Sequence, residues 1–225
     1  MELSTFNFAL LWLPDCRKPV SDITDFTPEP AGPAKAGASA EMAKSDIVTE
    51  QEVTSQLVLS FSRFWRERCN GATVPDREHF TAETLLPWIG HVQIVEVIDD
   101  GRDFFHRIVG TEIASVIGRD LSRKYVSESA YKIGAEAMLA RYREAKDRRE
   151  VTFRKGAMIW ALNNSWVAFE SVTVPVGCGG EQVDQLITVI DYPSLPTSRD
   201  RSVRDVSPAP SGLTKTGRKV PVLPE

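Results

Sequence analysis

Residues 91–118 read HVQIVEVIDDGRDFFHRIVGTEIASVIG. Residues 91–98 form a short run rich in Val and Ile, the composition of a strand. Asp100-Gly101 then supplies the dipeptide of a two-residue hairpin turn, because Gly tolerates positive φ. Residues 104–109 are the returning strand, and Gly110-Thr111 stops it. Thr111 is placed to cap a short helix over residues 112–117. Gly118 is placed to end that helix in a left-handed turn. Strand, turn, strand, helix is thus written in 28 consecutive positions.

Upstream, Val53, Leu57, Phe61, Phe64 and Arg68 recur at spacings of three and four, with Val58 and Trp65 beside them. That is one face of a helix, predicted over residues 47–69 and ended by Asn70-Gly71. Its apolar face is expected against the sheet or a second copy of the chain. A loop with Pro75 follows, then a helical turn over residues 81–86 that Pro87 breaks. Downstream, residues 119–127 read as irregular. Residues 128–148 read as the longest helix of the core, with Ile133, Ala137, Met138, Ala140 and Tyr142 on an inner side. Arg141, Arg143, Lys146, Arg148 and Arg149 crowd its end, where cations favour the helix dipole.

Three strands are predicted after that, over residues 150–159, 165–176 and 183–192. In the second, Trp166, Ala168, Val172, Val174 and Val176 fall on one face, and Val167 and Phe169 on the other. Gly177-Cys178-Gly179-Gly180 reads as a hairpin loop. Two strands, several helices and three strands fit an α+β domain, a single antiparallel sheet covered by helices.

The chain has 225 residues and a formal charge of −4, so no global basic field points to nucleic acid. Cys16, Cys69 and Cys178 are far apart and without Cys/His ligand spacing, which reads as free thiols in a reducing cytosol. No apolar run approaches the ~18–20 residues of a membrane span. Residues 14–44 are rich in Pro, Ala, Gly, Ser and Asp, and residues 193–225 in Pro, Ser, Arg and Lys, without apolar periodicity. Segments 1–44 and 193–225 are therefore expected to be disordered, leaving one folded unit over residues 45–192. Residues 8–13 form a small apolar cluster without the flanks of a signal peptide. Met42, just ahead of the first helix, is a candidate start; an N-terminal peptide covering residues 6–13 in the native protein would exclude it.

The element order is that of a PAS domain. More specifically, the chain resembles a bacterial PAS-like family of small single-domain proteins. Trp65, Gly71, Pro75, Glu83 and Leu86-Pro87 match its helix, loop and Leu-Pro string. Val95 to Val97, Asp100-Gly101, Phe104 to Arg107, Val109-Gly110-Thr111 and Gly118-Arg119-Asp120 match the strand, turn and loop that follow. The resemblance covers about residues 58–192 and departs at Ser122-Arg123, where the family has Thr-Gly. It implies a curved five-stranded antiparallel sheet with an N-terminal flanking helix, here 47–69. It also implies a pocket between sheet and helices for a small ligand or cofactor, and pairing of copies through the flanking helix or the sheet's outer face. Phe105, Tyr125, Met138, Tyr142, Phe153, Trp166 and Phe169 are the candidate ligand-binding residues. On that reading, exchanging Trp166 for Ala costs stability.

Specific chemistries find little footing. A haem needs an axial ligand in the pocket; the chain's histidines are His79, His91 and His106, the helix 128–148 has none, and for His106, in a strand, an ordinary strand histidine is the better reading. A flavin adduct needs a Cys between Gly118 and Tyr131, and none is there. The cofactor stays unknown. Cys178 lacks a nearby His or cationic partner that would activate a thiolate. The expectation is a cytoplasmic sensory or interaction module, not an enzyme, without nucleic-acid binding, acting in trans through a small ligand, a signalling partner or a homodimer. The rivals are a ligand-free scaffold and a small enzyme using Cys178.

Overall fold

The computed structural model describes residues 45–129, 134–159, 165–178 and 180–195. The expectations for segments 1–44 and 196–225, and for Ile133, lie outside these residues. Six strands form one antiparallel sheet: β1 (Ser45–Val48), β2 (Val92–Ile98), β3 (Asp103–Val109), β4 (Thr152–Ile159), β5 (Trp166–Cys178) and β6 (Gln182–Asp191). Their spatial order is β1-β4-β5-β6-β2-β3. The helices are α1 (Gln56–Cys69), α2 (Ala82–Leu85), α3 (Thr111–Ile117) and α4 (Ala135–Arg148).

The sheet has six strands where five were expected, because Ser45–Val48 is not the start of the first helix. It adds to the free edge of β4, with Ser45 opposite Gly156 and Val48 opposite Phe153. Val53 and Thr54 then carry the chain to Ser55, which caps α1 and accepts a hydrogen bond from Val58 N at 3.2 Å. The flanking helix is thus residues 56–69 rather than 47–69. Asn70, in a left-handed conformation, ends it.

The β2–β3 turn is longer than the dipeptide reading. Asp99–Gly101 form a tight helical turn, and all three residues have positive φ. Arg143 Nε and Lys146 Nζ of α4 donate to Gly101 O and Asp100 O, fastening the turn from above. Gly110 rather than Thr111 caps α3. A Cβ on Gly110 would sit 2.2 Å from the Gly90 carbonyl oxygen, so the Gly of the Val-Gly-Thr block is fixed by a close backbone approach. Gly118 ends α3 at φ 79 as expected. Arg123 takes a left-handed backbone, at φ 63. Residues 123–126 run along the open side of β3, with His106 N donating to Lys124 O and Val126 N to Phe104 O.

A shift in register sets which side chains of β3 point where. Ile94 pairs with Ile108 but Val95 with His106, so Arg107 is the extra residue of a bulge. Phe104 and His106 consequently share a face with Val95, and Val109 with Gln93. The described unit runs on past residue 192: Leu195 N donates to Tyr192 O, and Leu195 packs on the core.

Both faces of the sheet are covered. On one, α1 lays Val58, Phe61 and Trp65 over Val92, Ile94, Phe153, Val172, Val174, Val176, Ile187 and Val189. Phe80, Leu85 and Trp88 complete this cluster, with Trp88 edge-on to Phe61 at 5.2 Å between ring centroids. On the other face there are two separate apolar clusters. One gathers Leu139, Tyr142 and Ala145 of α4 over Val95, Phe104 and Leu186. The other gathers Ile113 and Val116 of α3 over Val109, Val167, Phe169 and Ile190. The inner side of α4 differs from expectation: Leu139 and Ala145 are buried, while Ala137 and Ala140 are exposed.

Carboxylates of the sheet hold the start of α1. Glu170 accepts from Thr54 N and Ser55 N at 2.8 Å and from Thr54 Oγ1 at 2.7 Å, and pairs with Lys155 at 2.9 Å. Ser55 Oγ donates to Asp191 at 2.6 Å. Burial of Glu170 works against its charge, but Lys155 and the Ser55 and Thr54 donors outweigh that and hold its carboxyl down to about 2.

Candidate ligand-binding site

The site is a polar seam between the two inner clusters. Thr152 of β4 is the register partner of Thr173 of β5, Thr173 of Thr188 of β6, and Thr188 of Gln93 of β2. Directly paired residues of antiparallel strands share a face, so these four side chains form one row across four strands. Thr173 and Thr188 confirm it, their hydroxyls 3.0 Å apart. A row of four polar residues inside a packed sheet is costly unless each finds a partner.

At the β2 end the partners are present. Gln93 Nε2 donates to Tyr142 Oη of α4 at 2.9 Å and to His106 Nδ1 at 2.9 Å. An amide nitrogen can only donate, so Nδ1 accepts and the imidazole is neutral. Burial agrees: it lowers the His106 pKa to about 4, against the pull of Asp103 and Asp120. His106 has no accessible surface.

At the β4 end the hydroxyl of Thr152, a residue only 3% exposed, has no hydrogen-bond partner among the described residues. One step along the strand, on the same face, Arg154 pairs with Glu144 of α4. Arg141, one turn back from Glu144, lies close enough that burial first, and the charge of Arg154 second, push its pKa down. Buried Ser171, opposite Arg154, continues the floor toward Phe169. Within the α3 cluster, Tyr192 also keeps a buried hydroxyl without a partner among the described residues.

The residues expected to line a pocket divide. Tyr142 is in the seam, Met138 packs beside it, and Phe169 lies on its α3 side. Phe105 and Tyr125 do not face it. Adjacent to His106 on β3, Phe105 points to the opposite side and meets Tyr125 edge-on, with ring centroids 5.1 Å apart. Phe153 belongs to the cluster under α1. Trp166 is on that same side and is 53% exposed, so its expected burial is corrected. Gln93, Thr152, Thr173 and Thr188 were missed, because a polar residue in an apolar strand carries no motif. The available signal was their departure from otherwise apolar runs, together with Tyr142 on the helix above.

Other chemistry is sparse. Among the described residues no group of three or more His, Cys, Asp or Glu side chains could hold a metal ion. Neither Cys69 nor Cys178 forms a disulfide among the described residues, and burial raises the Cys69 pKa. Cys178 ends β5 opposite Gln182, away from the seam. No described helix is long and apolar enough to cross a membrane.

A family model described as a PAS domain matches residues 51–177. Among solved structures the chain is similar to a light-oxygen-voltage domain studied with a flavin analogue, at TM-score 0.38 and 10% identity, over 55% of this chain and 90% of that one. It is also similar to an RNA-binding light-oxygen-voltage receptor, at TM-score 0.39 and 12% identity, over 75% of this chain and 42% of that one. No curated protein matches the chain.

Proposed function

The chain belongs to the PAS domain family, and from that premise we propose that it is a cytoplasmic sensory module that binds a small ligand in the seam beneath α3 and α4. It acts in trans on a signalling partner or a second copy and performs no chemical step of its own. One observation carries the reading: the row of buried Thr152, Thr188 and Gln93 and part-buried Thr173 lies between two apolar clusters, with Tyr142 and His106 closing one end. A domain built for stability alone gains by filling such a strip with apolar side chains. The ligand-binding residues of this reading are Gln93, His106, Tyr142, Thr152, Thr173 and Thr188.

The route outward runs through the sheet. A ligand on the row presses on β5 and β6, which carry Thr173 and Thr188 on one face. On their other face Glu170 and Asp191 hold the start of α1. Occupied and empty states then differ in how α1 is seated. The ligand shifts that equilibrium only by its difference in affinity for the two seatings.

A ligand-free scaffold is the second reading, favoured by the mutual satisfaction of Gln93, His106 and Tyr142. Native mass spectrometry of the full chain, purified gently, with an absorbance scan, separates the two. Mass above that of the polypeptide is the expected result and identifies the ligand class. A bare mass from several preparations, with a Thr173→Val/Thr188→Val variant as competent as the wild type in partner binding, would leave the scaffold.

A further inference from the structure

We propose that the apolar cluster of residues 8–13 docks on the exposed end of the β4–β5 hairpin around Trp166 and acts as an intramolecular latch on that surface.

Register defines the surface. Trp166 pairs with Ile159, and Ala168 with Ala157, so four apolar side chains form two adjacent rows on the α1 side of the sheet. Trp166 is 53% exposed and Ala168 is exposed, while Ile159 and Ala157 are half-buried. The next row, Lys155 with Glu170, belongs to the polar clamp on the start of α1. The buried contacts of α1 on β5 begin only at Val172, so the helix stops short of this corner. A large aromatic side chain beside three apolar neighbours is a surface of the kind that marks an interaction.

The path of the chain names the occupant. β1 runs antiparallel to β4, with Ser45 opposite Gly156 and Val48 opposite Phe153, so the chain reaches the sheet from the Ile159 end. Ser45 lies three residues along and two strand spacings across from Trp166, about 14 Å between backbones. A coil of about 30 residues spans about 30 Å on average, and residues 14–44 are therefore enough to bring 8–13 to this corner. The other end of the described chain is less suited. Leu195 packs on the α3 cluster, on the opposite face, and residues 196–225 contain no aromatic side chain. Phe8 and Trp12 supply flat apolar surface to set against Trp166.

The tether sets the strength. A contact of four side chains is weak, with a dissociation constant on the order of millimolar. The effective concentration across such a tether is on the order of millimolar too. Docked and open forms are then about equally populated. A latch so balanced changes the folding equilibrium by only about twofold. It shields the corner from casual contacts and yields to a partner that binds Trp166 more tightly.

The test uses the full chain with photoreactive benzoylphenylalanine in place of Trp12, irradiated at low protein concentration. Cross-links are expected at the mass of the single chain, in peptides that contain Ile159 or Trp166. Trp166→Ala in the same chain is expected to lower their yield at least about threefold, with an unchanged circular dichroism spectrum. Hydroxyl-radical footprinting gives a readout without the probe. Oxidation of Trp166 is expected to rise about twofold in full-length Leu11→Asp/Trp12→Asp, since half of the wild-type chains have it covered. Cross-links at twice the chain mass would assign the corner to a second copy and overturn the latch. Cross-links spread over both faces of the sheet, a yield indifferent to Trp166→Ala, unchanged oxidation of Trp166, or a native protein that begins at Met42 would each overturn it as well.

Discussion

The two faces of the sheet are built from the same strands and differ in almost every other respect. Under α1, Val92, Val172, Val174, Val176, Ile187 and Val189 have no accessible surface. They meet Phe61, Trp65 and Trp88, and the Trp65 indole N–H donates to Pro175 O at 2.8 Å. Beneath α3 and α4, a polar row divides the apolar surface into two clusters. The uniform face stabilises, since its apolar area is continuous and asks for no special partner. The divided face gives up part of that stabilisation and keeps hydrogen-bonding groups in the interior. The α1 face buries polar groups too, but at the start of the helix, where Glu170 and Ser55 find partners, whereas the polar row crosses the middle of the other face.

The largest effect is expected on the uniform face. Phe61 is fully buried and touches Trp88 and Phe64. Phe61→Ala should cost about 3–5 kcal/mol in urea unfolding, through lost transfer energy and the cavity left behind. A loss below about 1 kcal/mol would mean that α1 is an attachment and not part of the core, and the contrast between the faces would collapse.

The next effect is in acid, where the two faces should fail in different windows. His106 titrates at about 4 in the fold against 6.5 ordinarily. Its burial contribution is fully present above pH 6.5 and is lost as pH falls toward 4, because the unfolded chain takes the proton first. The loss is on the order of 3 kcal/mol. Glu170, on the α1 face, titrates at about 2 against 4.5. Its contribution is present above pH 4.5 and fades from there toward pH 2, by about 1–2 kcal/mol once the part-open Lys155 is allowed for. Unfolding free energy measured against pH should thus fall first on account of the divided face, then of the α1 clamp. His106→Gln should flatten the upper window alone and Glu170→Gln the lower one alone. Identical profiles for His106→Gln and the wild type would show that the imidazole is not held neutral by burial.

What could be read from the sequence follows from which signals are local. Residues 91–118 gave both strands, the helix and the Gly118 stop, because alternation, turn residues and helix ends act within a few positions. The α1 face was legible for the same reason: Val58, Phe61 and Trp65 repeat at helical spacing. The start of α1 was not, since Ser45–Val48 becomes a strand only through pairing with β4, more than a hundred positions away. The seam was the least legible part. Its row is assembled by register between four strands, and register across a sheet is not written in any one of them. Tyr142 was found because it is aromatic and on the inner side of a helix. Phe105 was misplaced because alternation gives two faces without saying which is inward, and His106, its neighbour, has the inward one.

Trp166 carries the smallest prediction and the sharpest use of the comparison. Alternation places it correctly with Val172, Val174 and Val176, and on that ground its loss was expected to be costly. Yet α1 covers only the far half of β5. Val172 to Val176 lie beneath it, while Ala168 and Trp166 extend past it toward the β4 end of the hairpin, where Ile159 is the partner of Trp166. A side chain that is half exposed loses little on truncation, so Trp166→Ala should change stability by no more than about 0.5 kcal/mol. Phe169→Ala, three residues on and buried on the opposite face, should cost about 3 kcal/mol or more. If Trp166→Ala instead costs as much as Phe169→Ala, something covers that end of the sheet in solution. A melting temperature that rises with protein concentration in the wild type and not in Trp166→Ala would identify the cover as a second copy. A concentration-independent loss would place it within the chain itself. Either result would extend the stabilising face beyond α1, and an unchanged stability would fix its limit at Glu170.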